Sequence, residues 1–395
     1  MAGPMSGVKV IDLGAMVAGP MAATILADQG ADVIKIEPPG IGDVMRHLGA
    51  TCNGIGGLYH STNRGKRSLA LDLKTAEAIA LVKELAAGAD VVLQNFRPGV
   101  AERLGVDYEA LRAVNPELIY LSVCGFGDRG PLANKPAYDN VIQAFSGVAQ
   151  SQADLQTGEP IQYYQLFSDK LTALTGSQAI CSALFARERG QGGQHIRLSM
   201  VDSVVSFLWS DVSGASAFAD PSAQEGVSPS RGVRLIQFND GYGAAAAASD
   251  IQFQGYCRAF GEDPHDPRFA TATERNKHAG EMQELIRRVA NTAREMSTAE
   301  AMAALESEDV PCATALHLAE LPEHPQMQAN QSFATLEHPQ AGAIIEPNNP
   351  ANFEGTPSPE LRICASLGQH TNEILRDLGR NDTEIEQLRE AGVIA

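Results

Sequence analysis

Hydrophobic and polar positions in the first half of the chain follow two alternating periods. Short apolar runs of strand length occur at "VKVIDL" (8–13), "ADVIKIE" (31–37), "ADVVLQN" (89–95) and "ELIYLSV" (117–123). Between them, "GPMAATILADQG" (19–30), "TAEAIALVKELAAG" (75–88) and "DYEALRAVN" (107–115) carry helical patterns. The punctuation agrees with this reading. Gly30 closes the first helix, Pro38 and Pro39 stop the second strand, Thr75 is an N-cap, and Gly88 ends the helix that Thr75 opens. Strands alternating with helices predict βαβ units and a mostly parallel sheet, an α/β fold.

With 395 residues the chain exceeds one hydrophobic core, so two domains are expected. Residues 1–215 make the first part of the larger one. Ser, Ala, Gly and Pro then crowd the chain, and 216–232 reads as a crossing linker. A smaller domain follows at 233–322, with helices at "EMQELIRRVANTA" and "TAEAMAALESEDVP". From 321 to 358 Pro, His, Asn and Gln dominate, which suggests a second extended crossing. Residues 323–395 are thus a return linker and a terminal part with two short helices, the second capped around Asn381, Asp382 and Thr383.

Composition narrows the function. A hydrophobic content of 44% with 20% charged residues is ordinary for a soluble globular protein. A formal charge of −18 argues against a general nucleic-acid or anionic-membrane surface, while leaving room for one basic pocket. The start lacks the pattern of a secretory signal, and the apolar stretch Val204 to Trp209, between Asp202 and Asp211, is too short to span a bilayer. Six cysteines lie far apart without a CxxC pair, and nine histidines show no HxxxH or HExxH spacing. The expectation is a cytoplasmic protein with reduced, mostly core thiols and no metal.

Candidate chemistry sits at strand ends. The loop "LGAMVAGP" lacks GxGxxG, yet Gly14, Gly19 and Pro20 make a tight turn whose N–H groups suit an anion; a plain βα turn is the alternative. Six cations gather in "NRGKRS" (63–68), "NFRPGVAERLG" (95–105) and Lys135, as a phosphate pocket or as solvated surface. Asp139 in "AYDNVIQAFSG" and Asp169 in "FSDKLTALTG" each stand at the mouth of a helix. Each is either an N-cap or a reactive carboxylate. No GxSxG, Cys/His pair or P-loop competes with them.

In combination, the chain resembles the family III coenzyme A transferases (the CaiB/BaiF family) over nearly its full length. The resemblance rests on "VIDLGAMVAGPMAATILADQGADVIKIEPPGIGD", "NRGKRSLALDLK", "VLQNFRPGVAERLGVDYEALRAVNPELIYLSVCGFG", "PAYDNVIQAFSG", "SDKLTALTGSQAICSALFARERGQGGQHIRLSMVDS" and "LGQHTNEILRDLG", in that order. It implies a Rossmann-like large domain built from both chain ends, a smaller inserted α/β domain, and an interlocked homodimer. It further implies that Asp169 is the nucleophile in CoA transfer from an acyl-CoA to a carboxylic acid, through an aspartyl-CoA thioester. The α-helix N-terminus is expected to keep Asp169 ionised, and Asp139 matches a position that assists catalysis. The CoA contacts implied are Val17 and Ala18, the strip Leu71, Asp72, Leu73 and Lys74, then Asn95, Phe96, Arg97 and Arg103, and finally Lys135, Ala137 and Tyr138. CoA and acyl-CoA enter as substrates, and no metal, nucleic acid or membrane is implied.

Three departures refine the resemblance. Val17 stands where formyl-CoA transferases carry glutamine, Pro38 where they carry arginine, and "FNDGYGAAAAASD" (238–250) where they carry a glycine-rich flap. These shift the expected acid from formate or oxalate towards something larger. Tyr138 replaces the histidine of the α-methylacyl-CoA racemase branch. That weighs against the first alternative, an α-proton enzyme using Asp169 as acid and base. The second alternative is a non-catalytic acyl-CoA-binding protein in which Asp169 only caps a helix.

Overall fold

In the computed structural model the described residues are 3–154, 156–224 and 234–395. The chain divides into two compact units, Met1–Gly226 with Gln326–Ala395, and Val227–Pro325. Positions 225–232 of the expected linker lie outside the described residues.

The larger unit is built on six parallel strands: β1 (Lys9–Asp12), β2 (Asp32–Glu37), β3 (Arg67–Ala70), β4 (Val91–Gln94), β5 (Ile119–Cys124) and β6 (Gln194–Ser199). Their spatial order is β3-β2-β1-β4-β5-β6, the order of doubly wound nucleotide-binding folds. The apolar pattern predicts the four inner strands and misses β3 and β6. Those two are the sheet edges, and "RSLA" and "QHIRLS" carry polar residues because an edge is half solvated.

The helices that matter for the sheet and the site are, in chain order, α1 (Ala18–Asp28), α2 (Ala76–Ala87), α3 (Asp139–Phe145), α4 (Phe167–Ala186) and α5 (Met200–Val212). On one sheet face Val10, Val33, Leu93, Ile119 and Leu121 form a core with α1, α4 and α5. On the other face Ile11, Leu69, Val92 and Tyr120 pack with α2 and the chain's last residues. The α4 helix comes close to the sheet at Gly176, where an added Cβ would lie 3.2 Å from Leu121 Cδ2 and 3.7 Å from Ala22 Cβ. That contact fixes α4 against both β5 and α1.

The smaller unit has its own core of Phe238, Phe260, Val289 and Leu305. Strands β7 (Ile236–Gln237), β8 (Tyr242–Ala245) and β9 (Cys312–Thr314) pair antiparallel, beside α6 (Asp250–Ala259), α7 (Ala279–Glu295) and α8 (Thr298–Ser307). Leu285, Val289 and Ala293 form the buried stripe of α7 at helical spacing.

The stretch read as an extended crossing contains a hairpin, β10 (Phe333–His338) and β11 (Gly342–Pro347). Its Glu346 is buried, held by His60 Nδ1 at 2.8 Å and Ser61 Oγ at 2.7 Å. The terminal helices are α9 (Thr371–Asp377) and α10 (Asp382–Glu390), the latter opened by an Asn381/Glu384 capping box. Residues of the α9 turn cover the β3 edge: Ser68 N donates to His370 Nδ1 and Ala70 N to Thr371 Oγ1. All six cysteines are free, but only Cys257 and Cys364 are buried and Cys52 is exposed, so the thiols are less a core feature than expected. No helix among the described residues is long and apolar enough to cross a membrane.

Candidate active site

A parallel sheet with crossover helices gathers strand C-termini and helix N-termini on one edge. Val17 and Ala18 follow β1, Leu71 to Lys74 follow β3, Asn95 to Arg97 follow β4, and Lys135 to Asp139 follow β5. Asp169 lies in the first turn of α4, which returns towards β6. These residues therefore fall in segments that leave the carboxyl edge, and Arg103 lies in the short helix Val100–Leu104 beyond the β4 loop.

The strand order reverses between β1 and β4, and the loops after these two strands are tied together. Ala15 N donates to Asn95 Oδ1 at 2.8 Å, and Asn95 Nδ2 donates back to Ala15 O at 2.7 Å. A Cβ at Gly14 would meet Asp12 Oδ1 at 2.9 Å and Pro20 Cδ at 3.0 Å, so only glycine lets the chain turn this tightly. Val17 and Ala18 are buried, leaving their backbone as what the loop presents; no side chain caps the α1 N-terminus.

Beneath this loop is a charge cluster that the apolar pattern passes over. Lys66 Nζ donates to Asp12 Oδ2 at 2.8 Å, and Lys35 Nζ to Asp43 Oδ2 at 3.1 Å and to Gly14 O. All four side chains are buried. Burial pushes the Lys66 ammonium down to about 8, against the pull of Asp12. Burial also opposes the charge on Lys35, yet Asp12 and Asp43 raise its pKa overall. Next to it, burial pushes the Glu37 carboxyl up, but hydrogen bonds and charge from Arg46 prevail and hold it at about 2. The signal was available in "VIKIE", where a lysine stands inside a buried strand.

This cluster corrects the expected six-cation pocket. Arg64 is bound to Asp28 and Glu346, Lys66 to Asp12, and Arg67 to Asp32, Glu373 and Asp377. Those three join parts of the fold. Arg97, Arg103 and Lys135 are exposed and have no ion pair among the described residues. In the strip after β3, Leu71 is fully buried and bridges Ile394, while Asp72 N donates to Val393 O at 2.9 Å. The chain's last residues thus hold this strip, with Lys74 exposed at its end.

The two aspartates divide their roles unlike either simple reading. Asp139 is the first residue of α3 and does not cap it; its buried carboxylate reaches α4, where Oδ1 accepts the Asp169 N–H at 2.9 Å. Its Oδ2 accepts from Gln143 Nε2 at 2.6 Å. Asp139 is therefore the cap of α4, and Tyr138, 60% exposed, stands at the same corner. Asp169 caps nothing, and its carboxylate has no hydrogen-bond or ion-pair partner among the described residues. Burial, and then the Asp139 charge, push its pKa up to about 7. The expectation of a carboxylate held ionised by the helix end is opposed by burial and by the Asp139 charge, which both favour its protonated form.

A cleft of about 230 Å³ opens farther along the same edge, lined by Phe96, Arg97, Ser122, His195 and Arg197 among others. It touches the β4 loop but includes neither Asp139 nor Asp169. Among the described residues no group of three or more His, Cys, Asp or Glu is placed to hold a metal.

The strand order and tied switch-point loops define the class, a doubly wound α/β protein of Rossmann type. Residues 5–371 match CoA-transferase family III. The chain is 33% identical to the succinate–glutarate CoA-transferase of Agrobacterium fabrum, over 95% of this chain and 96% of the relative. It is 35% identical to the acetyl-CoA:oxalate CoA-transferase of Acetobacter aceti, over 91% and 92%. A CaiB/BaiF family protein of known structure from Brucella suis is similar with a TM-score of 0.82 at 30% identity, covering 96% of this chain and 100% of that one. The chain belongs to CoA-transferase family III and is an enzyme of the CoA-transferase class.

Proposed function

We propose that this enzyme moves CoA from an acyl-CoA donor to a carboxylic acid through an aspartyl-CoA thioester on Asp169. The observation that carries the reading is the uncommitted Asp169 carboxylate, raised to about 7 at the carboxyl edge of the sheet. A partly desolvated carboxylate is a stronger nucleophile than a solvated one, provided enough of it is ionised. Asp169 attacks the thioester carbonyl, the C–S bond breaks, and a mixed anhydride and CoA thiolate form. The thiolate attacks the aspartyl carbonyl, releasing the donor acid as a carboxylate. The acceptor carboxylate then attacks the aspartyl-CoA thioester, and the freed thiolate takes the acceptor's acyl group, regenerating Asp169. Thioester energy is conserved, so the cycle needs no ATP.

Arg97, Arg103 and Lys135 are the unpaired cations suited to the phosphates of CoA, and the N–H groups at Val17 and Ala18 to another anionic group. The relatives named above act on succinate, glutarate and oxalate, so dicarboxylic acids are the first acceptors to screen. A homodimer fits the exposed apolar side chains Phe145, Leu174, Phe207 and Trp209 on α3, α4 and α5. An interlocked arrangement would set the small unit of one subunit against the large unit of the other.

Hydroxylamine trapping tests the mechanism. With donor acyl-CoA present, the Asp169 peptide should gain the mass of a hydroxamate, and Asp169→Ala should show neither adduct nor transfer. A folded Asp169→Ala enzyme with near-normal turnover overturns the reading. Rapid α-deuteration of the donor in heavy water without an adduct overturns it in favour of α-proton chemistry.

A further inference from the structure

We propose that Gln143 is a positioning residue for CoA transfer, keeping the Asp139 and Asp169 carboxylates apart as two separate groups. The inference rests on Asp169 as nucleophile. Gln143 lies one helical turn beyond Asp139 on α3 and is 1% exposed. Its Nε2 donates to Asp139 Oδ2 at 2.6 Å and to Gln165 O at 3.0 Å, and its Oε1 accepts from Tyr163 N at 2.9 Å. One amide thereby grips the cap of α4 and the strap, residues 161–166, that leads into α4. The strap's other ties run to the same side of the unit: Ile161 N to Ala149 O at 3.0 Å and Gln162 Nε2 to Asn140 O at 2.9 Å.

The chemical consequence follows from the occupancy of Asp139. Both of its oxygens accept an N–H, one from Asp169 and one from Gln143. Two neighbouring carboxyls with a free oxygen each tend to share one proton, which would leave the nucleophile hydrogen-bonded and unreactive. With each oxygen held by an N–H donor, the Asp139 carboxylate is fixed in orientation and cannot turn towards the Asp169 carboxyl without giving up one of these bonds. Lys170 follows Asp169 on α4, and α5, which packs against α4, carries Asp202 in its first turn and Asp211 near its end. Lys170 is turned to Gln165 Oε1 at 3.1 Å, and Asp169 is the group on which the Asp139 charge acts.

Gln143→Leu deletes both donor and acceptor, and misplacement of the nucleophile should lower kcat on the order of 10–100-fold with KM for acyl-CoA changed less than about twofold. Gln143→Glu is the sharper test. The introduced carboxyl donates to Asp139 Oδ2 only while it carries a proton, which the adjacent Asp139 charge helps it keep. The ratio of variant to wild-type kcat should therefore fall at least about tenfold between pH 5.5 and pH 8. Melting curves at each pH, with the transition above the assay temperature, separate this from unfolding. A pH-independent ratio in folded Gln143→Glu, or wild-type kcat in Gln143→Leu, overturns the proposal. The Asp169→Ala control keeps the two readings distinguishable. If that control is inactive while both Gln143 variants turn over normally, only the role of Gln143 fails; if it stays active, the nucleophile fails.

Discussion

Two pairs of aspartates stand at the carboxyl edge of the sheet, and they differ in what faces them. Asp12 and Asp43 lie beneath the switch-point loop with Lys35 and Lys66, every charge answered by its opposite at 2.8–3.8 Å. The Asp139 and Asp169 carboxylates meet at the start of α4 without an ion pair among the described residues; two neutral N–H groups satisfy Asp139, and the Asp169 carboxylate has no partner among those residues. Asp12, Asp43 and Asp139 are buried and Asp169 is partly buried, so both pairs hold carboxylates withdrawn from water. Charge balance separates them. A balanced buried cluster fixes backbone, whereas an unanswered carboxylate keeps a raised proton affinity and free lone pairs.

Breaking the balanced cluster should produce the largest loss of stability. Lys35→Met leaves Asp12 with Lys66 alone and removes the donor to Gly14 O and Asp43. An uncompensated buried charge costs about 3–5 kcal/mol. Urea unfolding should show a midpoint shift of that size with an unchanged slope. A loss below about 1 kcal/mol would mean that the loop is held by something other than these charges.

The unbalanced pair predicts an opposite and somewhat smaller effect. The Asp169 pKa is raised from 3.8 to about 7 in the folded protein. Between those values the unfolded chain has released its proton and the native state has not, so native stability falls as pH rises through that window. Above it the loss levels off, on the order of 2–4 kcal/mol. Asp169→Asn removes the ionisation. The variant should match wild type near pH 4 and melt at a higher temperature at pH 8, while losing transfer activity. Such a gain in stability on removing a reactive group is the expected signature of a functional carboxylate. A wild type that gains on the variant as pH rises would reverse the sign and restore the picture of a helix-stabilised carboxylate.

How much of this was legible in the sequence depends on whether a feature is local. Thr75 and Gly88 announce the ends of α2 because caps act within four residues, and Thr75 Oγ1 does accept from Ala78 N. The four inner strands follow from apolar runs because both sheet faces bury them. Strand β3 was hidden because Arg67 looks solvent-facing, while it pairs across the fold with Glu373 and Asp377. The roles of Asp139 and Gln143 were hidden for the same reason: 30 residues separate Asp139 from the N–H it caps, and about 20 separate Gln143 from the strap. Pattern reading sees the helix on which a residue lies. It does not see the helix that the residue serves.

The same contrast extends to cations, where the smallest effects lie. Arg67 is 20% exposed and bonded to Asp32 at 2.6 Å and to Glu373 and Asp377 at 3.2 Å, so its charge is committed. Arg97 and Lys135 are exposed without ion pairs among the described residues, so theirs is available to a phosphorylated ligand. Arg67→Gln should leave KM for acyl-CoA unchanged and lower stability by about 0.5–1 kcal/mol, the range for partly exposed pairs. Arg97→Gln and Lys135→Gln should do the reverse, each raising KM about three- to tenfold with unchanged melting temperature. Salt gives an independent check, since a Debye length falls from about 10 Å at 0.1 M to about 3 Å at 1 M. Raising it should raise wild-type KM and shrink the difference between wild type and the Arg97 or Lys135 variants. An Arg67→Gln enzyme whose KM rises as much as theirs would place that residue with the ligand instead of the fold.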